Sequence, residues 1–228
     1  MDYFDGVSEL NDVLRTIYSA EAEDFPTVLD ALTQAAARCV TGADHAGITT
    51  SSRENEVSSP SVTDECAKVL DEIQQRHLQG PCLEAAWTRK AVEVEDLATD
   101  SRWPKYQADA LAETPIRSVL SLPLFADELS MGALNFYAER AGAFSESSRR
   151  VAATLATVGA MAWSNAVRGQ QFAAALGSRD TIGQAKGILM ERYELDEQAA
   201  FNMLVKLSQG ANIAVRDIAR RLIDDAGI

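Results

Sequence analysis

The chain has 228 residues, 46% hydrophobic and 24% charged, which is ordinary for a globular protein with room for more than one core. Three cysteines without a CxxC pair exclude a disulfide framework, and His45 and His77, with no companion Cys or acidic cluster at ligand spacing, argue against a structural zinc site. The net charge of −13 argues at first against nucleic acid, but it is uneven: from Gly177 onward seven Lys and Arg stand against eight Asp and Glu, so the acidity belongs to the front of the molecule.

The acidic start, Met1-Asp2-Tyr3-Phe4-Asp5, does not fit a signal peptide, and the longest apolar run, Val151 to Trp163, is too short to span a bilayer. A cytoplasmic chain without membrane contact is expected. Residues 7–20 and 25–40 read as helices, the second through Phe25, Val28, Leu29, Leu32, Ala35 and Ala36. The period then shortens: 43–50 reads as a β-branched strand and 56–62 as a weaker one interrupted by Pro60. Helical spacing returns over 62–77 through Val62, Cys66, Val69, Leu70 and Ile73. Gln79-Gly80-Pro81 signals a turn before a short helix over 82–88, followed by a strand over 91–94 and a helix over 102–113 that Pro115 stops. Strands over 116–125 and 129–138, joined at Asp127-Glu128, complete an α+β pattern with an antiparallel sheet flanked by helices.

From Ser145, read as an N-cap with Glu146 well placed in the first turn, every segment is helical. Val151, Leu155, Val158, Ala162, Asn165, Gly169, Phe172 and Leu176 recur at alternating spacings of four and three, a heptad-like seam. A helix lying on its own sheet explains the seam to about Ala166 but accounts poorly for Phe172 and Leu176. A homodimer is therefore expected along a signalling helix over 145–176, through Val151, Leu155, Val158, Ala162, Phe172 and Leu176.

In the last third, Ile182, Ala185 and Leu189 form a core stripe, and Arg179, Gly183, Lys186 and Met190 run parallel to it. Glycine inside a helix costs about 1 kcal/mol relative to alanine, so Gly183 and Gly187 on either side of Lys186 need a reason. One is a bare trough around an amine, open to a phosphate backbone; the other is close packing of neighbouring helices. After a break at Tyr193-Glu194-Leu195, Asp196 caps a helix expected to turn Ala200, Phe201, Leu204 and Leu207 inward. Gln209-Gly210-Ala211 ends it. Asn212 then caps a final helix lined by Val215, Ile218, Ala219 and Leu222.

Two stretches carry family resemblances. Gln79-Gly80-Pro81-Cys82-Leu83-Glu84-Ala85, Asp100-Ser101-Arg102-Trp103-Pro104, Arg117 to Leu124 and Gly132 to Tyr137 together resemble a GAF domain of the type found in actinobacterial regulators, over residues 21–166 behind an N-terminal helix at 1–20. Ile182 to Met190, containing Gln184-Ala185-Lys186-Gly187, with Glu197 to Phe201, Leu207-Ser208-Gln209, Asn212 and Val215 to Ala219, resembles an ANTAR domain over 170–228. The pair implies a GAF-like sheet, a long connecting helix and a C-terminal three-helix bundle. ANTAR-like proteins are RNA-binding antiterminators that recognise paired stem-loops in nascent transcripts and keep a terminator hairpin from forming. The resemblance therefore implies a sensor-gated RNA partner in nascent mRNA and no enzyme activity. RNA loops are read by Arg, Lys, Asn and Gln side chains, a chemistry supplied here by Arg179, Gly183, Gln184, Lys186, Ser208, Asn212 and Arg216. Asn212 fits a cap equally well, and Ser208 a helix end. Where related proteins carry basic residues after the Asn, this chain has Ile213 and Ala214, which removes phosphate contacts.

The resemblance implies a sensor pocket for a small-molecule or protein signal that the sequence does not identify. Cys82, Trp87, Trp103 and Tyr106 are candidates to line it, with core packing the competing account of each. Cys82 falls at a helix start, where the dipole lowers a thiol pKa. No cyclic-nucleotide signature or bilin-attachment context is present, and no metal or cofactor is expected. Two rivals stand beside the antiterminator: a protein-interaction output without RNA, and a GAF-type methionine sulfoxide reductase. The latter lacks a resolving cysteine, because Cys82 is the last in the chain.

Overall fold

A computed structural model describes residue 15 and residues 25–52, 56–126 and 130–226, without the side chains at 25, 52, 125, 126, 130, 166, 167 and 170–174. Apart from residue 15, the helix expected over 7–20 lies outside the described residues, as do the Asp127-Glu128 turn and the Phe172 side chain. Contacts divide the chain into two compact units, with the boundary between Val167 and Arg168.

The first unit contains α1 (Phe25–Cys39), β1 (His45–Ser52), β2 (Val57–Val62), α2 (Glu65–His77), α3 (Pro81–Thr88), β3 (Val92–Val94), α4 (Pro104–Glu113), β4 (Ser118–Ala126), β5 (Ser130–Ala138) and the start of α5 (Glu146–Tyr193). The strands form one antiparallel sheet in the order β2-β1-β5-β4-β3. Pro60 is tolerated because β2 is an edge strand, where a missing N–H breaks no ladder on the open side. Successive side chains of a strand point to opposite faces, so the sheet builds two cores. On one face Ile48, Leu120, Leu122, Leu134 and Phe136 pack with α1 and with Ala152, Leu155 and Ala156 of α5. On the other, Val119, Ala133 and Tyr137 pack with residues of α2, α3 and α4.

The helix ends follow their local chemistry. Asp64 caps α2 by accepting the Cys66 N–H at 2.9 Å, and the Ser145 hydroxyl accepts the Ser148 N–H at 3.2 Å at the start of α5. The expected dimer seam is different. Leu155 and Ala162 are buried and Val158 packs on the first core, so this stretch of the seam faces the chain's own sheet. Gly159 lets the helix come close: a Cβ there would stand 2.5 Å from Leu32 and 2.8 Å from Leu124. Val151 and Leu176 are exposed, as is Met161, at 64% the most exposed large apolar side chain described.

The second unit contains the remainder of α5, α6 (Glu197–Ala211) and α7 (Val215–Ala226). Glu194, in the left-handed region at φ 53°, breaks the chain out of α5, and Asp196 caps α6 by accepting the Ala199 N–H at 2.7 Å. Ala185, Leu189, Ala200, Leu204 and Ala219 make the core, with Ile182, Val215, Ile218 and Leu222 packed against it. Phe201 and Leu207, expected inward, are 38% and 47% exposed. So small a unit buries only a narrow stripe, and Phe201 lies about 100° round the helix from Ala200. Asn212 does not cap α7. It ends α6 in the left-handed conformation at φ 53°, with its N–H donated to the Ser208 carbonyl. Among the described residues no helix is long and apolar enough to cross a membrane.

Candidate functional site

The second unit carries an open groove of about 860 Å³ between α5 and α6, and Arg179, Gly183, Gln184 and Lys186 all line it. They share it with Ala175, Ser178, Asp180, Ile182, Glu197 and Phe201. Arg179 and Lys186 are seven residues apart, two turns of one helix, with Gly183 between them. A Cβ added at Gly183 or Gly187 would meet nothing within 4 Å. The glycines are therefore not spacers for helix packing within this unit; they leave helix backbone bare.

The trough is not electrically open. Lys186 donates to the Glu197 carboxylate, and this hydrogen bond holds the Glu197 carboxyl below its usual range. Lys186 is thus neutralised by an acid that the sequence pattern did not single out. Arg179 is exposed and has no ion-pair partner among the described residues. With Asp180 and Glu197 among the lining residues, two cations stand against two anions.

Ser208, Asn212 and Arg216 do not line this groove; they cluster at the turn from α6 to α7. The Ser208 hydroxyl donates to the Ile213 carbonyl at 2.5 Å, a structural bond that fixes the turn. Arg216 Nε lies 3.4 Å from Asp217 Oδ1, an exposed pair of little energetic weight.

In the first unit, Cys82, Trp103 and Tyr106 belong to the second core, whereas Trp87 is exposed and stands apart from them. Beside Cys82 lies a buried polar network. The Asp71 carboxylate accepts from Ser59 at 2.6 Å, Thr49 at 2.7 Å and Gln74 at 3.0 Å, and Asn135 Nδ2 donates to Thr49 Oγ1 at 2.7 Å. Gln74 also accepts the backbone N–H groups of Cys82 and Leu83 at 2.9 and 3.2 Å, fastening the start of α3. Gly80, at φ 142°, is needed there, since a Cβ would meet the Gln74 side chain at 2.4 Å. Ser121 Oγ and Tyr137 Oη each lie 3.5 Å from Cys82 Sγ.

Burial raises the Asp71 carboxyl to about 6 against the pull of its three donors. Burial likewise pushes the Cys82 thiol up to about 12, opposite to the lowering a helix N-terminus alone would cause. The Asn135 Oδ1 and Tyr106 hydroxyl have no hydrogen-bond partner among the described residues, although both residues are fully buried. Sequence periodicity overlooked this network, yet it left a trace. Ala67, Leu70, Asp71 and Gln74 follow one helical face, so two polar residues occupy core positions.

A GAF domain family model matches residues 22–164, and an ANTAR domain family model matches residues 170–223. No curated protein sequence matches the chain. Among solved structures, the GAF domain of an Acinetobacter phosphoenolpyruvate-protein phosphotransferase is similar at 16% identity and TM-score 0.56, covering 74% of this chain and 97% of that one. The corresponding domain from Coxiella burnetii is similar at 12% identity and TM-score 0.56, covering 75% and 99%. The free methionine-R-sulfoxide reductase of Neisseria meningitidis, in complex with its substrate, is similar at 15% identity and TM-score 0.50, covering 70% and 88%. At these identities the likeness is one of fold.

Proposed function

Because the chain belongs to the GAF domain family through residues 22–164 and carries an ANTAR domain over residues 170–223, we propose that it is a sensor-gated RNA-binding regulator that prevents transcription termination. The observation that carries this reading is the groove in which Arg179, Gly183, Gln184 and Lys186 meet over bare helix backbone. Phosphate or a splayed base can approach such a surface closely, with an arginine and a lysine two turns apart to hold it. Arg216, outside the groove, becomes a secondary contact. The partner is a stem-loop in nascent mRNA, and the signal is a small molecule or protein acting on the first unit. We place small-molecule sensing at the buried network, where Asn135 Oδ1 and the Tyr106 hydroxyl offer unused hydrogen-bonding capacity.

The protein acts as a homodimer in this reading. Its contacts are the exposed apolar positions Val151, Met161 and Leu176 of α5, in place of the seam residues that pack on the sheet. It is not an enzyme. A reductase needs an accessible thiolate, whereas Cys82 is fully buried and its thiol is raised to about 12. Thiol consumption with free methionine sulfoxide checks this point directly.

The test of RNA binding is a salt titration against a two-hairpin leader RNA. With Lys186 held by Glu197, Arg179 and the secondary contact Arg216 imply a log–log slope of about −1.4 for single-stranded loops. Arg179→Ala, folded by circular dichroism, should weaken binding across loop sequences and make the slope shallower by about 0.7. Unchanged affinity and slope would remove the groove as the RNA site. A second reading, docking of a protein partner, is favoured by the charge balance of the groove and by exposed Phe201 on its wall. Phe201→Ser would then abolish partner binding and leave RNA unaffected.

A further inference from the structure

One set of side chains among the described residues brings imidazole, carboxylate and thiol donors together. The ligand atoms of His45, Asp64 and Cys66 all lie within 4.8 Å of one another. His45 opens β1, Asp64 is the cap of α2, and Cys66 is the second residue of that helix. The backbone between them is firmly held. Thr63 donates its N–H to the Ala46 carbonyl at 2.9 Å, and its hydroxyl accepts the Ala46 N–H at 2.8 Å. Glu139, just past β5, places a carboxylate oxygen 3.3 Å from His45 Nε2. Sequence spacing hid the set, because Asp64 lies 19 positions after His45 and the antiparallel β1–β5 pairing alone brings Glu139 alongside.

We propose that His45, Asp64 and Cys66 bind one divalent ion of the zinc class, with Glu139 as the carboxylate that orients the His45 ring. Zinc takes sulfur at about 2.3 Å and nitrogen or oxygen at about 2.0–2.2 Å, so donors this close need to converge by only about an ångström. The mixture of one nitrogen, one sulfur and one oxygen donor disfavours calcium and magnesium, which take oxygen ligands. Three protein ligands leave a fourth position on the solvent side, where Asp64 is exposed. Ion binding expels the Cys66 proton, as thiolate ligation requires, and ties the start of β1 to the α2 N-terminus.

The experiment uses the full chain stripped with chelator, titrated with cobalt by absorption and then with zinc by calorimetry. One ion per chain is expected, with a thiolate-to-cobalt charge-transfer band that zinc bleaches and a rise in Tm on zinc addition. Cys66→Ser should lose the band, and His45→Gln should bind at least about tenfold more weakly. Asp64→Asn keeps a good helix cap, so it isolates the ligand role from folding, and it too should weaken binding about tenfold or more. Absence of stoichiometric uptake at micromolar metal overturns the proposal. So does a band that persists in folded Cys66→Ser, or an Asp64→Asn variant with unchanged affinity.

Discussion

Lys186 on α5 and Glu197 at the start of α6 form an ion pair across the groove wall, so the amine best placed to meet a phosphate is already neutralised within its own unit. An anionic ligand reaches Lys186 only by displacing that carboxylate. Glu197→Gln should therefore tighten RNA binding and steepen the log–log salt slope by about 0.7, one added phosphate contact. Lys186→Ala in the same background should remove the gain. Filter binding at several salt concentrations reads both, and a Glu197→Gln slope equal to that of the unsubstituted protein would show that Lys186 never reaches phosphate.

Gly183 separates the effect of shape from that of charge. Open space surrounds the position, so Gly183→Ala should stabilise the helix by roughly 0.5–1 kcal/mol. Gly183→Leu should fill the trough and weaken RNA binding while leaving the salt slope unchanged. Thermal melts and binding curves on the two variants distinguish the contributions. If Gly183→Leu binds as the unsubstituted protein does, the bare backbone is not part of the contact.

The buried Asp71 makes a pH prediction. Its folded pKa, about 6, lies above the ordinary 3.8, so the folded state holds the proton more tightly. The stability linked to this proton is fully present below pH 3.8 and is lost as pH rises through 6. Other carboxyls, Asp96 and Asp109 among them, are held low and act in the opposite sense, so the comparison is with Asp71→Asn. Between pH 7 and pH 4 the stability of the natural protein relative to that variant should improve by roughly 2 kcal/mol. Urea unfolding at the two pH values measures it, and a constant difference would mean that Asp71 titrates normally.

Two leucines of α5 should behave differently. Leu155 is 1% exposed in the first core, so Leu155→Asp should destabilise the fold by several kcal/mol, as expected for an unpaired buried charge. Leu176 is 46% exposed, so Leu176→Asp should leave folding intact and lower the mass by light scattering. A Leu176→Asp protein with the mass of the unsubstituted chain would place the dimer contact elsewhere on the surface.

What could be read from the sequence was local. Apolar spacing located the strands around Ile48, Leu120 and Leu134 and the helical stripe of Ile182, Ala185 and Leu189, because the period of side-chain direction is set by backbone geometry alone. Asp196 and Ser145 announced their helix starts for the same reason: a cap bonds to an N–H within three residues. The face shared by Arg179, Gly183 and Lys186 was equally a property of one helix. Tertiary structure decided which neighbour each face meets. The spacing that marks a dimer seam also marks a helix lying on a sheet, and only packing assigned Leu155 and Ala162 to the latter. The partners Lys186–Glu197, Asp71–Thr49 and His45–Cys66 arise where separate elements converge. Periodicity gives a side chain's direction relative to its own backbone, whereas charge balance, burial and ligand geometry depend on what another segment places opposite it.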